Sequence, residues 1–449
     1  MRETPPARAD IQSAARHYIW PQLTRAEVEA GVPQVLTAGA GVRVQTADGT
    51  EYLDLMSTVS RASALGYGEE RIASAVYEQL RCLHYGGTAY SQADITLELA
   101  ERVAGLAPGE LTASVFVGSG SEANEVALKL ARFYHHARGV KPRAYKVIAR
   151  WNDYHGAAGS ATAASDWLGV RRPMEPGVPG FSRIPSPMSY RCPFGLPHPS
   201  CGADCAIRCA EYLEQHILHE GPELVSAFIL EPIAQANGVQ LPPPGYLERV
   251  REICRTYDVV FIADEVITGF GRTGEWFSVD HWGVEPDIMT MAKALTAGYV
   301  PLGAAIATGK IRDALDGYPD IHTYGGHPAA AAAALAAIDI YENDGLLERA
   351  AQEGAHALAT LRELQDLDAV GDVRGLGLWL AVDFTADRET RAPLAPEKLR
   401  AIVDRTRERG VLVSNNGTAI EIAPPLVIGR EDLDEGLARF GEAVREILA

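Results

Sequence analysis

Two short stretches, each ending in a charged residue, constrain this chain more than any other feature. Residues 259–263, Val-Val-Phe-Ile-Ala, are β-branched, aromatic or small without a polar interruption. That is the pattern of a strand buried on both faces of a parallel sheet. The run stops at Asp264-Glu265. A second short strand, residues 287–291, leads through Ala292 to Lys293, with Ala294 behind it. Open α/β sheets hold ligands at the carboxyl ends of their strands. A carboxylate and an amine delivered there by neighbouring strands make a reactive pair.

One cofactor suits that pair. Pyridoxal phosphate (PLP) needs a lysine amine to bond its aldehyde and a carboxylate to keep its ring nitrogen protonated. Spacing alone also admits a plainer reading, a solvated lysine and an Asp-Glu pair in a surface loop. The full strings are more specific. Asp264-Glu-Val-Ile-Thr-Gly-Phe-Gly-Arg-Thr-Gly274 is followed by Ala292-Lys293-Ala-Leu-Thr-Ala-Gly-Tyr-Val-Pro-Leu-Gly303. Together they closely resemble the signature of the class III (ω) aminotransferases, a branch of the fold-type-I PLP enzymes, in that family's order and spacing. The resemblance covers about residues 15–449.

Other stretches fit the same frame. Strands predicted near residues 114, 146, 225, 259, 288 and 303, separated by helical or loop segments, describe an open and mostly parallel sheet. The strand 114–117 breaks into Gly118-Ser-Gly-Ser-Glu-Ala-Asn124 ahead of a helix predicted over 125–137. A Gly/Ser turn before a helix start is where a phosphate sits. It is neither a dinucleotide fingerprint, lacking the third glycine, nor a P-loop, lacking Gly-Lys-Ser/Thr. Asp48-Gly49 marks a hairpin. Residues 165–202, rich in Pro, Gly and Arg, read as a long loop, and 373–382 as one short strand.

The resemblance implies an α/β, fold-type-I architecture, a large domain with a mostly parallel seven-stranded-type sheet plus a smaller α+β domain. On that scheme residues 1–66 contribute to the small domain, 67–330 form the large PLP-binding domain, and 331–449 return to the small one. It also implies roles. Lys293 carries PLP and serves as general base, Asp264 holds the ring nitrogen, Val266 and Tyr154 flank the ring, and His155 stands at its edge. Ser119, Gly120 and Ser121 hold the phosphate, and Glu231 closes the cofactor side. Thr323 reaches the phosphate of a neighbouring subunit, which implies a homodimer or a dimer of dimers.

The implied reaction moves an amino group from an ω-amino acid or amine to a keto acid, most often pyruvate. An epimerase, lyase or decarboxylase on the same fold is the alternative, because the lysine motif does not decide what the substrate carbanion does next. A ligand-binding member without catalysis is opposed by the presence of both Asp264 and Lys293.

Substrate recognition rests on a departure from the family pattern. Members hold the keto acid's carboxylate with an arginine ten residues before a Pro-Pro pair. Here the pair is Pro424-Pro425 and the position is Ser414. Amine-specific members often carry tryptophan five residues before the first glycine of Gly66-Tyr-Gly68, and here that position is Arg61. Arg61 is therefore expected to contact a carboxylate or sulfonate, with Trp20 and Tyr154 also on the substrate side. The plainer reading makes Arg61 a surface loop residue.

Composition excludes some partners. The 449 residues carry a net charge of −18, which argues against nucleic acid or an anionic membrane as the main partner. The N-terminal residues lack a signal peptide's apolar core. The longest apolar run, 329–338, is too short to span a bilayer, so a cytoplasmic enzyme is the expectation. Cys192, Cys201, Cys205 and Cys209 crowd one stretch without a Cys-x-x-Cys pair. Their i, i+4 recurrence suits buried thiols on a helix better than a metal site, and no metal is expected.

Overall fold

The computed structural model describes residues 34–196, 203–235 and 238–449. Trp20 and Cys201 lie outside the described residues. The described residues open with an antiparallel meander of Leu36–Ala40 (β1), Arg43–Thr46 (β2) and Glu51–Asp54 (β3). Its second turn is the expected one, with Gly49 in the left-handed region at φ +82° and Asp48 Oδ1 accepting the Thr50 N–H at 3.0 Å.

The central sheet has seven strands: Leu111–Val117 (β4), Lys146–Arg150 (β5), Phe181–Ile184 (β6), Val225–Leu230 (β7), Val260–Asp264 (β8), Ile288–Met291 (β9) and Gly303–Thr308 (β10). They lie in the order β4-β10-β9-β8-β7-β5-β6. Pairing is parallel from β6 through β9, while β10 runs antiparallel to both β9 and β4. Side chains alternate between two covered faces, as a doubly covered sheet requires. Ile229 and Ile262 pack with the helix Gly120–Arg138 through Val126 and Leu130. Phe228 and Phe261 turn the other way, towards Leu213 and Val250 of the helices Ala203–Glu220 and Tyr246–Thr256.

Three expectations are corrected. Residues 165–202 are not one long loop: they contain the helix Leu168–Met174 and β6, the edge strand beside β5. Proline and arginine in this segment obscure a strand of only four residues. The helix expected from residue 125 starts at Gly120, because Ser119 caps it by accepting the Glu122 N–H. The single strand expected over 373–382 is a hairpin of Val370–Leu376 (β11) and Trp379–Asp387 (β12). It turns at Gly377, φ +55°, where an added Cβ would meet Thr273 backbone at 2.5 Å.

The remaining strands are Ala392–Pro393 (β13), Val411–Leu412 (β14), Ser414–Asn416 (β15) and Ala419–Ile422 (β16). β11, β12, β16 and β15 form an antiparallel sheet, and β14 pairs in parallel with β3, joining the two ends of the chain. The alanine-rich helix Pro328–Asn343 is buried along most of its length. Among the described residues no helix is long and apolar enough to cross a membrane. Cys205 and Cys209 are buried on the helix Ala203–Glu220.

Candidate active site

The two stretches that constrain the sequence meet at the carboxyl edge of the central sheet. Asp264 is the last residue of β8, and Lys293 follows β9 by two residues, at the start of a 3-10 turn over Lys293–Thr296. Because β8 and β9 pair directly, the two side chains enter one cleft. Gly120, Ser121, Asn124, Tyr154, His155, Gly156, Glu231, Val266, Ile267 and Ala292 complete its lining. Lys293 holds φ +43°, a left-handed backbone unusual outside glycine and common at functional sites.

Asp264 and Glu265 point in opposite directions. Glu265 is buried away from the cleft and accepts from the Thr268 hydroxyl, the Ser278 N–H and hydroxyl, and the Val279 N–H. Burial raises its pKa to about 7. Asp264 is buried and faces the cleft. Its Oδ2 takes hydrogen bonds from Asn124 Nδ2 and from His155 Nδ1, each at 2.7 Å. Its Oδ1 accepts the Val266 N–H at 3.1 Å. Asn124 is fixed in turn, donating to the His155 carbonyl at 2.7 Å and accepting from Thr290 Oγ1 at 2.8 Å.

Lys293 sits in the cleft with part of its surface open. Burial, and then the positive charge of Arg61, lower its pKa to about 8 against the opposing pull of Asp264, Glu231 and Glu421. Glu231 is buried, and desolvation followed by the nearby carboxylates of Asp153 and Asp264 pushes its pKa well up. It accepts the Tyr154 N–H at 2.8 Å. Beneath it Arg150 and Asp153 form a buried two-point ion pair at 2.8 and 3.1 Å.

The helix start at Gly120 forms the other end. Ser119 Oγ accepts the Glu122 N–H at 3.3 Å and Glu122 accepts the Gly118 N–H at 2.6 Å. Other first-turn amides have no acceptor within the helix, the usual condition for holding an anion. Backbone approach here needs glycine. An added Cβ on Gly120 would lie 2.8 Å from Val266 Cγ1, one on Gly156 2.4 Å from Ser121 Oγ, and one on Gly303 2.4 Å from the Ser119 carbonyl.

Of the residues singled out in the sequence, Gly120, Ser121, Tyr154, His155, Glu231, Asp264, Val266 and Lys293 line this one cleft. Ser119 caps the helix beside it. Thr323 is exposed in the loop before the alanine-rich helix and lies apart from the cleft in this chain; its carbonyl accepts from Tyr85 Oη at 3.0 Å. Arg61 is buried, at the end of a π-helical turn over Ser57–Arg61 with φ +59°, and is ion-paired to Glu421 of β16. Asn124, Gly156 and Glu421 were not singled out. Glu421 had a visible signal, a lone charge inside the apolar strand Ala-Ile-Glu-Ile-Ala.

Residues 25–444 match the family model "Aminotransferase class-III". The chain belongs to the class-III aminotransferases. The taurine--pyruvate aminotransferase of Rhodobacter capsulatus is 36% identical, covering 99% of each chain. The putrescine--pyruvate aminotransferase of Pseudomonas aeruginosa is 34% identical over 93% of this chain and 92% of its own. Among solved structures, the omega transaminase from Pseudomonas jessenii in complex with PMP superposes with a TM-score of 0.91, at 32% identity and 97% coverage of each chain. As an aminotransferase of this family, the chain is an enzyme of PLP fold type I, and the large, mostly parallel sheet with helices on both faces is that fold.

Proposed function

We propose that this aminotransferase uses PLP to move an amino group from an ω-amino acid or amine to pyruvate. The observation that carries the reading is the pairing of Lys293 with Asp264 across one cleft whose far end is a helix start. The cleft fits the group. Asp264 offers an anchored carboxylate, Gly120 leaves the space its own Cβ would fill, and the helix start suits a phosphate. Bound PLP supplies an electron sink that acidifies the C–H beside the substrate's amine.

The chain's residues do the rest. Lys293 would hold the cofactor through its amine, and as a free amine it would be the base that takes a proton from the substrate carbon. Its lowered pKa keeps much of the amine neutral near pH 8. Asp264 holds the proton on the ring nitrogen, with His155 and Asn124 fixing the carboxylate. Burial beside Asp153 and Asp264 holds the Glu231 pKa well above the ordinary carboxylate range. Val266 and Tyr154 would hold the ring, and Ser119, Gly120 and Ser121 the phosphate.

Thr323 completes that phosphate site from a partner copy, so the active form is a homodimer or a multiple of one. Its loop has the exposure such an interface needs: Ile321 is 66% exposed and Tyr324 70%. Residues 67–330 act as the large domain, and 1–66 with 331–449 as the small one. Arg61 contacts the anionic end of the substrate.

Incubating the holoenzyme with a panel of amines and pyruvate tests the reaction. Alanine should form, and amine alone should convert the bound cofactor stoichiometrically to its amine form. Release of carbon dioxide or an epimerised amine without that conversion would assign the fold to a different reaction.

A further inference from the structure

Arg61 and Glu421 are an ion pair with almost no exposure, 6% and 0% of their side chains. The contact has a single point, Arg61 Nη2 on Glu421 Oε2. Arg61 Nε is buried with no hydrogen-bond partner among the described residues. Glu421, by contrast, is held independently of Arg61. Trp379 Nε1 donates to Oε2 at 3.1 Å and Asn416 Nδ2 to Oε1 at 2.8 Å.

Across the strands, small side chains flank the carboxylate. Glu421 is paired across the strands with Ser414 on one side and Ala381 on the other. Directly opposed residues share a face, so only a hydroxymethyl and a methyl flank the carboxylate there. The pair also lies within electrostatic range of Lys293, where Arg61 lowers the amine's pKa and Glu421 opposes it. A buried guanidinium bonded through one nitrogen of three is incompletely compensated. A second oxyanion on its unpartnered Nε edge would complete it, since arginine favours two-point contacts with carboxylates and sulfonates.

We propose that Glu421 is the positioning residue that tempers the pull of Arg61 on anionic substrates, so that one pocket serves both charged and neutral partners. It fixes Arg61 by one nitrogen and offsets its charge, and the substrate's carboxylate or sulfonate takes the edge that has no partner. The inference rests on the aminotransferase reading of the cleft. Arg61 then works in place, held by Glu421 and by its left-handed backbone, and the neutral pair admits an uncharged amine in the other half-reaction.

The test is pyruvate binding to the PLP-form holoenzyme without amine, where pyruvate has no partner to react with. Calorimetry then reads affinity alone. Glu421→Gln keeps an acceptor for Asn416 but uncovers the charge on Arg61, so pyruvate should bind about tenfold tighter. The ratio of kcat/KM for pyruvate to that for a neutral amine should rise with it. A merely structural Glu421 would give the opposite, weaker binding of both.

Arg61→Leu/Glu421→Leu removes both charges without stranding either, and decides the matter if the single variant does not fold. It should retain the native circular dichroism spectrum and bind pyruvate at least about tenfold more weakly. Unchanged or weakened pyruvate affinity in Glu421→Gln, or unchanged affinity in the double variant, would overturn the proposal. Failure to form alanine with these affinities intact would count against the reaction instead.

Discussion

His155 Nδ1 lies 2.7 Å from Asp264 Oδ2. A carboxylate only accepts, so this contact fixes the histidine with its hydrogen on Nδ1 and its ring orientation with it. Asn124 shares the same oxygen at 2.7 Å. Oδ2 is thus fully engaged by the protein, and Oδ1 keeps one contact, with the Val266 N–H at 3.1 Å.

Asp264→Asn is predicted to fold and to hold PLP with the His155 and Asn124 contacts intact. Its carbonyl would take the Oδ2 position, leaving the NH2 as a donor in place of Oδ1. A neutral amide does not stabilise a protonated ring nitrogen, so single-turnover proton transfer should slow by at least about a hundredfold. Stopped-flow measurement of the amine half-reaction checks this, and a near-normal rate would show that the ring nitrogen's charge is set elsewhere.

The pKa of Lys293 gives a pH prediction for the cofactor-free protein. Burial and Arg61 lower it from 10.5 to about 8, so the neutral amine fraction grows as pH rises through 8 and then saturates. Capture of PLP, followed by its visible absorbance, should rise up to about pH 8 and level off above it. An ordinary lysine would continue upward by about tenfold per pH unit until near 10.5. The same shift has a stability sign. Below pH 8 the charged amine opposes folding in full, and between 8 and 10.5 the unfolded chain binds more protons, so stability gains with pH there.

Gly120→Ala should weaken PLP binding by roughly tenfold to a hundredfold, the cost of overpacking. The new methyl would lie 2.8 Å from Val266 Cγ1 and drive that side chain into the cleft. Helix propensity alone predicts a gain from this change, so the loss has to come from the contact. Adding Val266→Ala should recover most of the affinity, measured by fluorescence titration of PLP.

The sheet and the reactive pair were legible because their signals are local. A run of buried β-branched residues ends at Asp264, and the next strand delivers Lys293. The capped helix start was half-legible: Gly-Ser-Gly-Ser marked a turn, but only the Ser119 side chain on the Glu122 N–H shows that the helix already begins at Gly120. What the sequence hid is long-range. Nothing near Arg61 in the chain announces Glu421, 360 residues away, because strand register brings β16 beside the turn that ends at Arg61. Likewise, β6 owes its strand to pairing with β5, against a Pro- and Arg-rich composition.

Thr323 is predicted to act across a dimer interface. Mixing a Lys293→Ala chain with a Thr323→Ala chain checks it. If Thr323 serves the partner's site, both lesions fall in one site of the heterodimer and the other site is intact, so activity should return to about half. If Thr323 serves its own chain, each site carries one lesion and activity stays low. Sedimentation should show a dimer or larger, and an active monomer would defeat the interface.

The central claim is that Lys293 carries the cofactor opposite Asp264. Borohydride reduction of the PLP-loaded enzyme fixes the cofactor covalently to whichever lysine holds it, and peptide mapping reads the position. The label should fall on Lys293 alone, and Lys293→Ala should lose both label and visible absorbance while keeping its fold. A label on any other lysine, or none on Lys293, would contradict the assignment of the whole site.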